Sequence, residues 1–195
     1  MATISIFGLG YVGAVSVACL ADNNHTIIGV DVNPTKVDMI SRGHSPIIEE
    51  GLGALLKKGV KAGRVCATTD SHKAVHNTDI SFVCVGTPSN PNGSLHLDYV
   101  RKVCEEIGAA LATKDRYHVI VARSTMLPGS TEEVVIPALE STSGKKAGKD
   151  FGVCFNPEFL REGSSIKDFY DPPFTVVGAD DEKAAGIITE LYTML

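Results

Sequence analysis

What this 195-residue sequence lacks narrows its function before any motif is found. The five cysteines, Cys19, Cys66, Cys84, Cys104 and Cys154, form no CxxC pair, and Cys84 and Cys154 sit inside apolar runs that read as buried strands. That is the pattern of a reduced, cytoplasmic protein, with each thiol expected as buried packing and none as a nucleophile. Positive charge is not in excess: 18 Lys and Arg against 23 Asp and Glu leave a net charge of -5, with no basic stripe, which argues against a nucleic-acid partner. His72 and His76 could share a helix face, but no third ligand lies near them, so no metal site is expected. Met1 to Ala21 contains no charged residue, yet it does not read as a leader or a membrane span. A signal peptide begins with Lys or Arg, and glycines at positions 8, 10 and 13 weaken an apolar helix. The segment reads as a buried strand followed by a buried helix. Repeats and low-complexity tracts are also missing, and Ser141 to Lys149 reads as a polar surface loop.

What is present starts at the same segment. An apolar run, Ala2 to Phe7, leads into GLGYVG, Gly8 to Gly13, and Asp31 closes the next apolar run. Strand, glycine turn, helix and a strand ending in an acid are the order of a dinucleotide site. Gly8 lets the chain turn tightly, Gly10 leaves room for a pyrophosphate, and Gly13 lets the helix lie close on the sheet. The phosphates then face the unpaired N–H groups of a helix start. A carboxylate at Asp31 accepts from ribose hydroxyls and repels a 2′-phosphate. Val32, Asn33 and Pro34 follow it with no arginine, and no cation is expected beside it, so the cofactor predicted is NAD rather than NADP.

The length suits one domain, residues 1–195, and 44% apolar with 21% charged residues is the balance of a globular protein with a core. Short Val- and Ile-rich runs alternate with helical-period stretches. This predicts an α/β fold, a Rossmann-type doubly wound, mainly parallel sheet with helices on both faces. Strands are expected near Thr3 to Phe7, Thr26 to Val30, Arg64 to Ala67, Ile80 to Val85, His118 to Val121, Gly152 to Phe155 and Thr175 to Val177. The clearest helix carries the stripe Leu97, Val100, Cys104, Ile107 and Leu111. Another is expected after Gly129, with Ser130 and Glu133 as a capping box and a kink at Pro137. From Asp180 the pattern is again helical, and Ile187, Ile188, Leu191, Met194 and Leu195 stay apolar with no stop signal. Residues 180–195 therefore read as the start of a helix leading to a further, central domain.

Ligands of an open parallel sheet collect at the carboxyl ends of its strands. Three exit segments stand out there: Gly86-Thr87-Pro88, then Arg123 to Gly129, and then NPEFLREG, Asn156 to Gly163. The last admits two accounts. Asn156, Pro157 and Glu158 suit the cap, first position and macrodipole of a helix start. Alternatively, Glu158 and Glu162, four apart, would share a helix face looking into the crevice, where paired acids can move protons.

Taken in order, GLGYVG, Asp31, CVGTPS, RSTMLPGS, NPEFLREG and KDFYDPP closely resemble the sugar-nucleotide 6-dehydrogenases, the UDP-glucose and GDP-mannose dehydrogenase family. LPG after RST, Arg161 after NPEFL, and Asp171 to Pro173 after KDFY bring the resemblance closer to the GDP-mannose branch. It implies a nucleotide-sugar substrate, with GDP-mannose oxidised to GDP-mannuronate by two NAD through a thiohemiacetal and a thioester. UDP-glucose or another UDP-sugar stays open as the substrate, as does an NAD-sensing module without catalysis. Carried over by motif, Gly8, Gly10, Tyr11, Val12, Gly13, Asp31, Lys36, Thr87 and Thr125 would contact NAD. Glu158 would be the acid/base residue of thioester hydrolysis, with Thr125 helping to hold the water. Glu162 and Leu160 would lie against the substrate. The family's nucleophilic cysteine, in a glycine-rich motif followed by Pro-Lys-Asp, has no counterpart here. This sequence thus reads as the cofactor half of a longer enzyme, a homo-oligomer assembled through downstream domains and working in the cytoplasm without a membrane partner.

Overall fold

In the computed structural model, which describes residues 1–193, six short strands form one parallel sheet. They are β1 (Thr3–Phe7), β2 (Thr26–Val30), β3 (Val65–Thr68), β4 (Ile80–Val83), β5 (Val119–Ala122) and β6 (Gly152–Phe155), in the spatial order β3-β2-β1-β4-β5-β6. Helices α1 (Tyr11–Asp22), α2 (Pro34–Ser41), α3 (Leu52–Lys61), α4 (Ser71–His76), α5 (Asp98–Leu111), α6 (Ile136–Ser143), α7 (Ser165–Tyr170) and α8 (Glu182–Thr193) join and flank them. The strand order reverses between β1 and β4, so their carboxyl ends open a crevice. Ile4 pairs with Ile27 on one side and Ile80 on the other, which places Gly8, Asp31 and Cys84 along one edge.

Both faces of the sheet are covered, which is why the strands are apolar almost throughout. One cluster joins Ile4, Ile6 and Ile27 to α1, α3 and α8; the other joins Phe7, Val30, Val83 and Ile120 to α4, α5 and α6. Helix α1 carries no charge before Asp22 because Gly13 to Ala21 are all buried. Val100, Cys104, Ile107 and Leu111 form the buried stripe of α5, as their spacing predicts. The bounds of β1, β2 and β6 match the sequence reading, those of β3, β4 and β5 differ from it by one or two residues, and α6 runs through Ser143, so the polar loop begins at Gly144.

Four expectations are corrected. Thr175 to Val177 is not a strand: only Phe155 and Gly178 form an isolated antiparallel bridge, after Pro172 and Pro173 have brought the chain back without N–H donors to offer. Ser130 and Glu133 make no capping box. Ser130 already has helical dihedrals and no capping bond, and the helix begins as a π-helical turn, Thr131–Val135. Pro137, in the first turn of α6, leaves a carbonyl without its usual donor, and the wider π-helical turn stands immediately before it. Cys66 is exposed on β3 rather than packed, since β3 is an edge strand with one covered face. Asn156 to Gly163 form no helix. Helix α8 buries Ala184, Ile188 and Leu191; Met194 and Leu195 lie outside the described residues.

Candidate functional site

Each glycine of GLGYVG meets a different neighbourhood. Gly8 has a φ of +94°, and a Cβ there would stand 2.9 Å from the Cys84 carbonyl oxygen. A Cβ on Gly13 would fall 1.8 Å from the Gly8 carbonyl oxygen, so helix and turn touch through bare backbone. At Gly10 no atom lies within 4 Å of the Cβ position. Two glycines are therefore required by the protein's own packing, while the third borders open space in front of a helix start. A helix start leaves its first N–H groups without intrahelical partners, and with that space the turn fits the pyrophosphate of a dinucleotide.

Asp31 braces this turn from the end of β2. Its Oδ2 accepts from the Leu9 amide at 2.7 Å and its Oδ1 from the Asn33 amide at 2.9 Å. Each carboxylate oxygen keeps a second acceptor site, enough for the hydroxyls of a ribose. The expectation that no cation stands beside Asp31 is corrected. Lys36, in the first turn of α2, places Nζ 3.6 Å from Oδ2, because the chain turns from the end of β2 into that helix.

The exits of β4 and β5 are tied together. Thr87 donates to the Thr125 carbonyl oxygen at 2.7 Å, and Ser124 donates to the Val85 carbonyl oxygen at 2.6 Å. Thr125 itself is exposed.

Asn156 to Gly163 is a loop held by three anchors, and these explain why the helix-start reading fails. Asn156, buried, cannot cap because its side chain is taken: Arg123 and Tyr192 donate to its Oδ1, and its Nδ2 donates to the Val176 carbonyl oxygen at 2.7 Å. Arg161 donates to Asp168 through its backbone amide at 2.9 Å and its guanidinium at 2.6 Å. That pairing holds the Asp168 carboxyl well below the usual carboxylate range. Gly163 and Ser165 donate their backbone amides to Glu49.

Without a helical turn, Glu158 and Glu162 do not share a helix face, and the expectation of a helical acid pair is withdrawn. Half-buried Glu158 bends back to accept from the Leu160 amide at 2.6 Å, while Glu162 stands exposed at the loop tip. Glu158 and Leu160 line a narrow cleft with Arg123, Asn156 and Tyr192; Thr125 and Glu162 lie outside that lining. A larger groove of about 800 Å³ runs along β6 past Met126, Ile136 and Gly178 and holds none of the predicted site residues.

The buried thiols are unsuited to nucleophilic work. Burial pushes Cys19, Cys84 and Cys104 up to about 12 and Cys154 up to about 11. His72 and His76 do share a face of α4, their rings stacked 4.3 Å apart. Among the described residues no group of three or more potential metal ligands converges, and no helix is long and apolar enough to cross a membrane. Two residues that hold this site together, Arg123 and Glu49, were not singled out by sequence. Arg123 was legible only as part of a strand exit, and nothing local marks Glu49, whose partners are far away in the chain.

Comparisons agree with this geometry. The family model described as the UDP-glucose/GDP-mannose dehydrogenase family, NAD binding domain, matches residues 2–195. A GDP-mannose 6-dehydrogenase of Pseudomonas aeruginosa is 55% identical over 192 residues, which cover 98% of this chain and 44% of that protein. The crystal structure of a ternary complex of GDP-mannose dehydrogenase from that organism superposes with a TM-score of 0.97, covering 98% of this chain and 44% of the other. A UDP-glucose dehydrogenase from Pyrobaculum islandicum, 40% identical, gives 0.94 over 99% of this chain and 44% of its own. The chain thus spans less than half the length of these relatives. It belongs to the UDP-glucose/GDP-mannose dehydrogenase family, and it is the NAD binding domain of that family.

Proposed function

We propose that this chain is the cofactor half of a GDP-mannose 6-dehydrogenase, an enzyme that oxidises the sugar's carbon-6 alcohol to a carboxylate with two NAD. The observation that carries the reading is the placement of the glycine turn, Asp31 and the loop bearing Glu158 on one carboxyl edge of the sheet. The choice of GDP-mannose over a UDP-sugar rests on similarity: 55% identity to the relative named for GDP-mannose against 40% to the structure named for UDP-glucose.

NAD, when bound, supplies the hydride acceptor. Backbone N–H groups at Gly10, Tyr11, Val12 and Gly13 take the pyrophosphate, Gly8 shapes their turn, and Asp31 with Lys36 takes the ribose. Thr87 and Thr125, joined by their hydrogen bond, border the cofactor from the neighbouring strand ends. Leu160 and Glu162 meet the sugar nucleotide from the loop. Glu158 takes a proton from the water that releases the acid, with Thr125 holding that water. The acyl group waits on a cysteine supplied by sequence outside this chain. The five unpaired thiols support a reducing, cytoplasmic setting, and we place subunit association in the regions that the relatives have beyond this domain.

Glu158→Gln in the full-length protein tests the assignment. It is expected to leave NAD binding intact and slow acid release by about 10² to 10⁴-fold, the usual range for a general acid or base. Mass spectrometry after mixing variant, GDP-mannose and NAD then finds protein carrying the sugar nucleotide covalently. Turnover within a few-fold of the parent, with no adduct, removes Glu158 from the mechanism.

A further inference from the structure

Glu49 has no place in any motif. It sits in the connection between α2 and α3, after a fully exposed Ile48, yet its carboxylate gathers donors from two distant segments. Oε2 accepts the Tyr11 hydroxyl and the Gly163 amide, the latter at 2.8 Å, and Oε1 accepts the Ser165 amide at 2.9 Å. The Gly163 amide also lies 3.1 Å from the Tyr11 hydroxyl, across 152 positions of sequence. The Tyr11 hydroxyl, first among these donors, holds the Glu49 carboxyl below its ordinary value, so the clasp is anionic at neutral pH.

The two segments so joined are not arbitrary. Tyr11 is the first residue of α1, in the turn that fits a pyrophosphate, and its ring is pinned by Glu49. Gly163 and Ser165 close the loop that begins at Asn156, and Arg161 with Asp168 makes the end of that loop one stiff unit. Charge-assisted hydrogen bonds are short and directional, so a displacement of one end moves the other. A carboxylate serving three donors adds nothing to apolar packing and has a desolvation cost, which a purely structural contact at this surface would avoid.

We propose that Glu49 is a positioning residue that couples the cofactor turn to the substrate loop, the Tyr11 hydroxyl and the Gly163 and Ser165 amides being the two ends of the link. This rests on the reading of the glycine turn as the NAD site. Occupancy of the turn stiffens Tyr11 and, through Glu49, fixes the loop that presents Leu160 and Glu162. By reciprocity, a ligand that fixes the loop tightens NAD by the same factor.

Amide exchange measured by NMR on this chain, with and without saturating NAD, tests the coupling. The parent is expected to show Gly163 and Ser165 exchanging at least about five-fold more slowly with NAD, the low end of typical couplings. Glu49→Ala is expected to bind NAD while losing that slowing. A merely structural Glu49 would speed both amides equally with and without NAD, leaving the slowing intact, and that result overturns the proposal. Should Glu49→Ala not fold, Tyr11→Phe removes one hydroxyl only and is expected to lose the slowing as well; full slowing in Tyr11→Phe overturns the link. NAD binding without any change at these amides in the parent rejects the coupling and spares the cofactor reading. Failure of NAD to bind rejects both.

Discussion

Gly10 and Gly13 respond in opposite ways to one added methyl group. Gly10→Ala meets open space at φ -82° and ψ -154°, so it is expected to change unfolding free energy by no more than about 1 kcal/mol, the scale of a helix cap. It is also expected to weaken NAD at least about ten-fold, because the methyl group occupies the phosphate's approach. Gly13→Ala drives a Cβ into the Gly8 carbonyl and is expected to cost about 2 kcal/mol or more, with NAD binding lost along with the fold. Urea unfolding and NAD titration of both variants check the contrast, and equal destabilisation contradicts it. Asp31 combines the two kinds of role: Asp31→Ala leaves the buried Leu9 amide unpaired, worth about 1 to 3 kcal/mol, whereas Asp31→Asn keeps an acceptor there. Cofactor affinity is therefore better read in Asp31→Asn. At this scale the glycines and Asp31 were legible because a motif has fixed spacing. Lys36 beside Asp31 and Glu49 beside Tyr11 were not, because folding brings them together.

A chain of buried polar groups crosses β5, β4 and β1 at the end opposite the site. Lys114, buried, donates to the Val75 carbonyl oxygen at 2.7 Å and to His118 Nδ1 at 2.8 Å. An ammonium can only donate, so the His118 proton sits on Nε2 and points to Ser81 Oγ at 2.7 Å, which meets Ser5 Oγ at 2.6 Å. Burial, and then the Lys114 charge, pushes His118 down to about 3. Unfolded, the ring protonates near its usual value of about 6.5. Between those values the unfolded chain binds the extra proton, so stability present above about pH 6.5 is lost as pH falls toward 3. From pH 7 to about pH 4.5 the parent should lose roughly 2 to 3 kcal/mol more than His118→Gln, at about 1.4 kcal/mol per unit. Urea titrations at the two pH values measure it, and parallel losses in both proteins refute the network's role. Elements were legible where periodicity is strong, as in α5 and β1. Reading failed where side chains redirect the backbone: Asn156 is spent on Arg123 and Tyr192 and cannot cap, and a π turn stands before Pro137.

As a whole, the molecule separates holding a cofactor from completing a reaction. Four of its five thiols are buried with raised pKa values, and Cys66 lies on β3 at the far edge of the sheet. This chain with NAD and GDP-mannose or UDP-glucose is therefore expected to produce no NADH, followed by absorbance. Sustained production, from protein free of longer enzyme, means that the nucleophile is misplaced. The parallel sheet covered on both faces was legible from the alternation of apolar runs, while the spatial order of its strands was not, nor was the edge beyond β6, where a single bridge leaves too short a pattern to read. The central claim is that residues Gly8 to Gly13 and Asp31 form an NAD site that disfavours the 2′-phosphate of NADP even with Lys36 at hand. Calorimetric titration of this chain with each cofactor tests it directly: the account predicts that NAD binds at least about ten-fold more tightly, from the carboxylate's repulsion of phosphate, and equal affinities, or no binding of NAD, would contradict it.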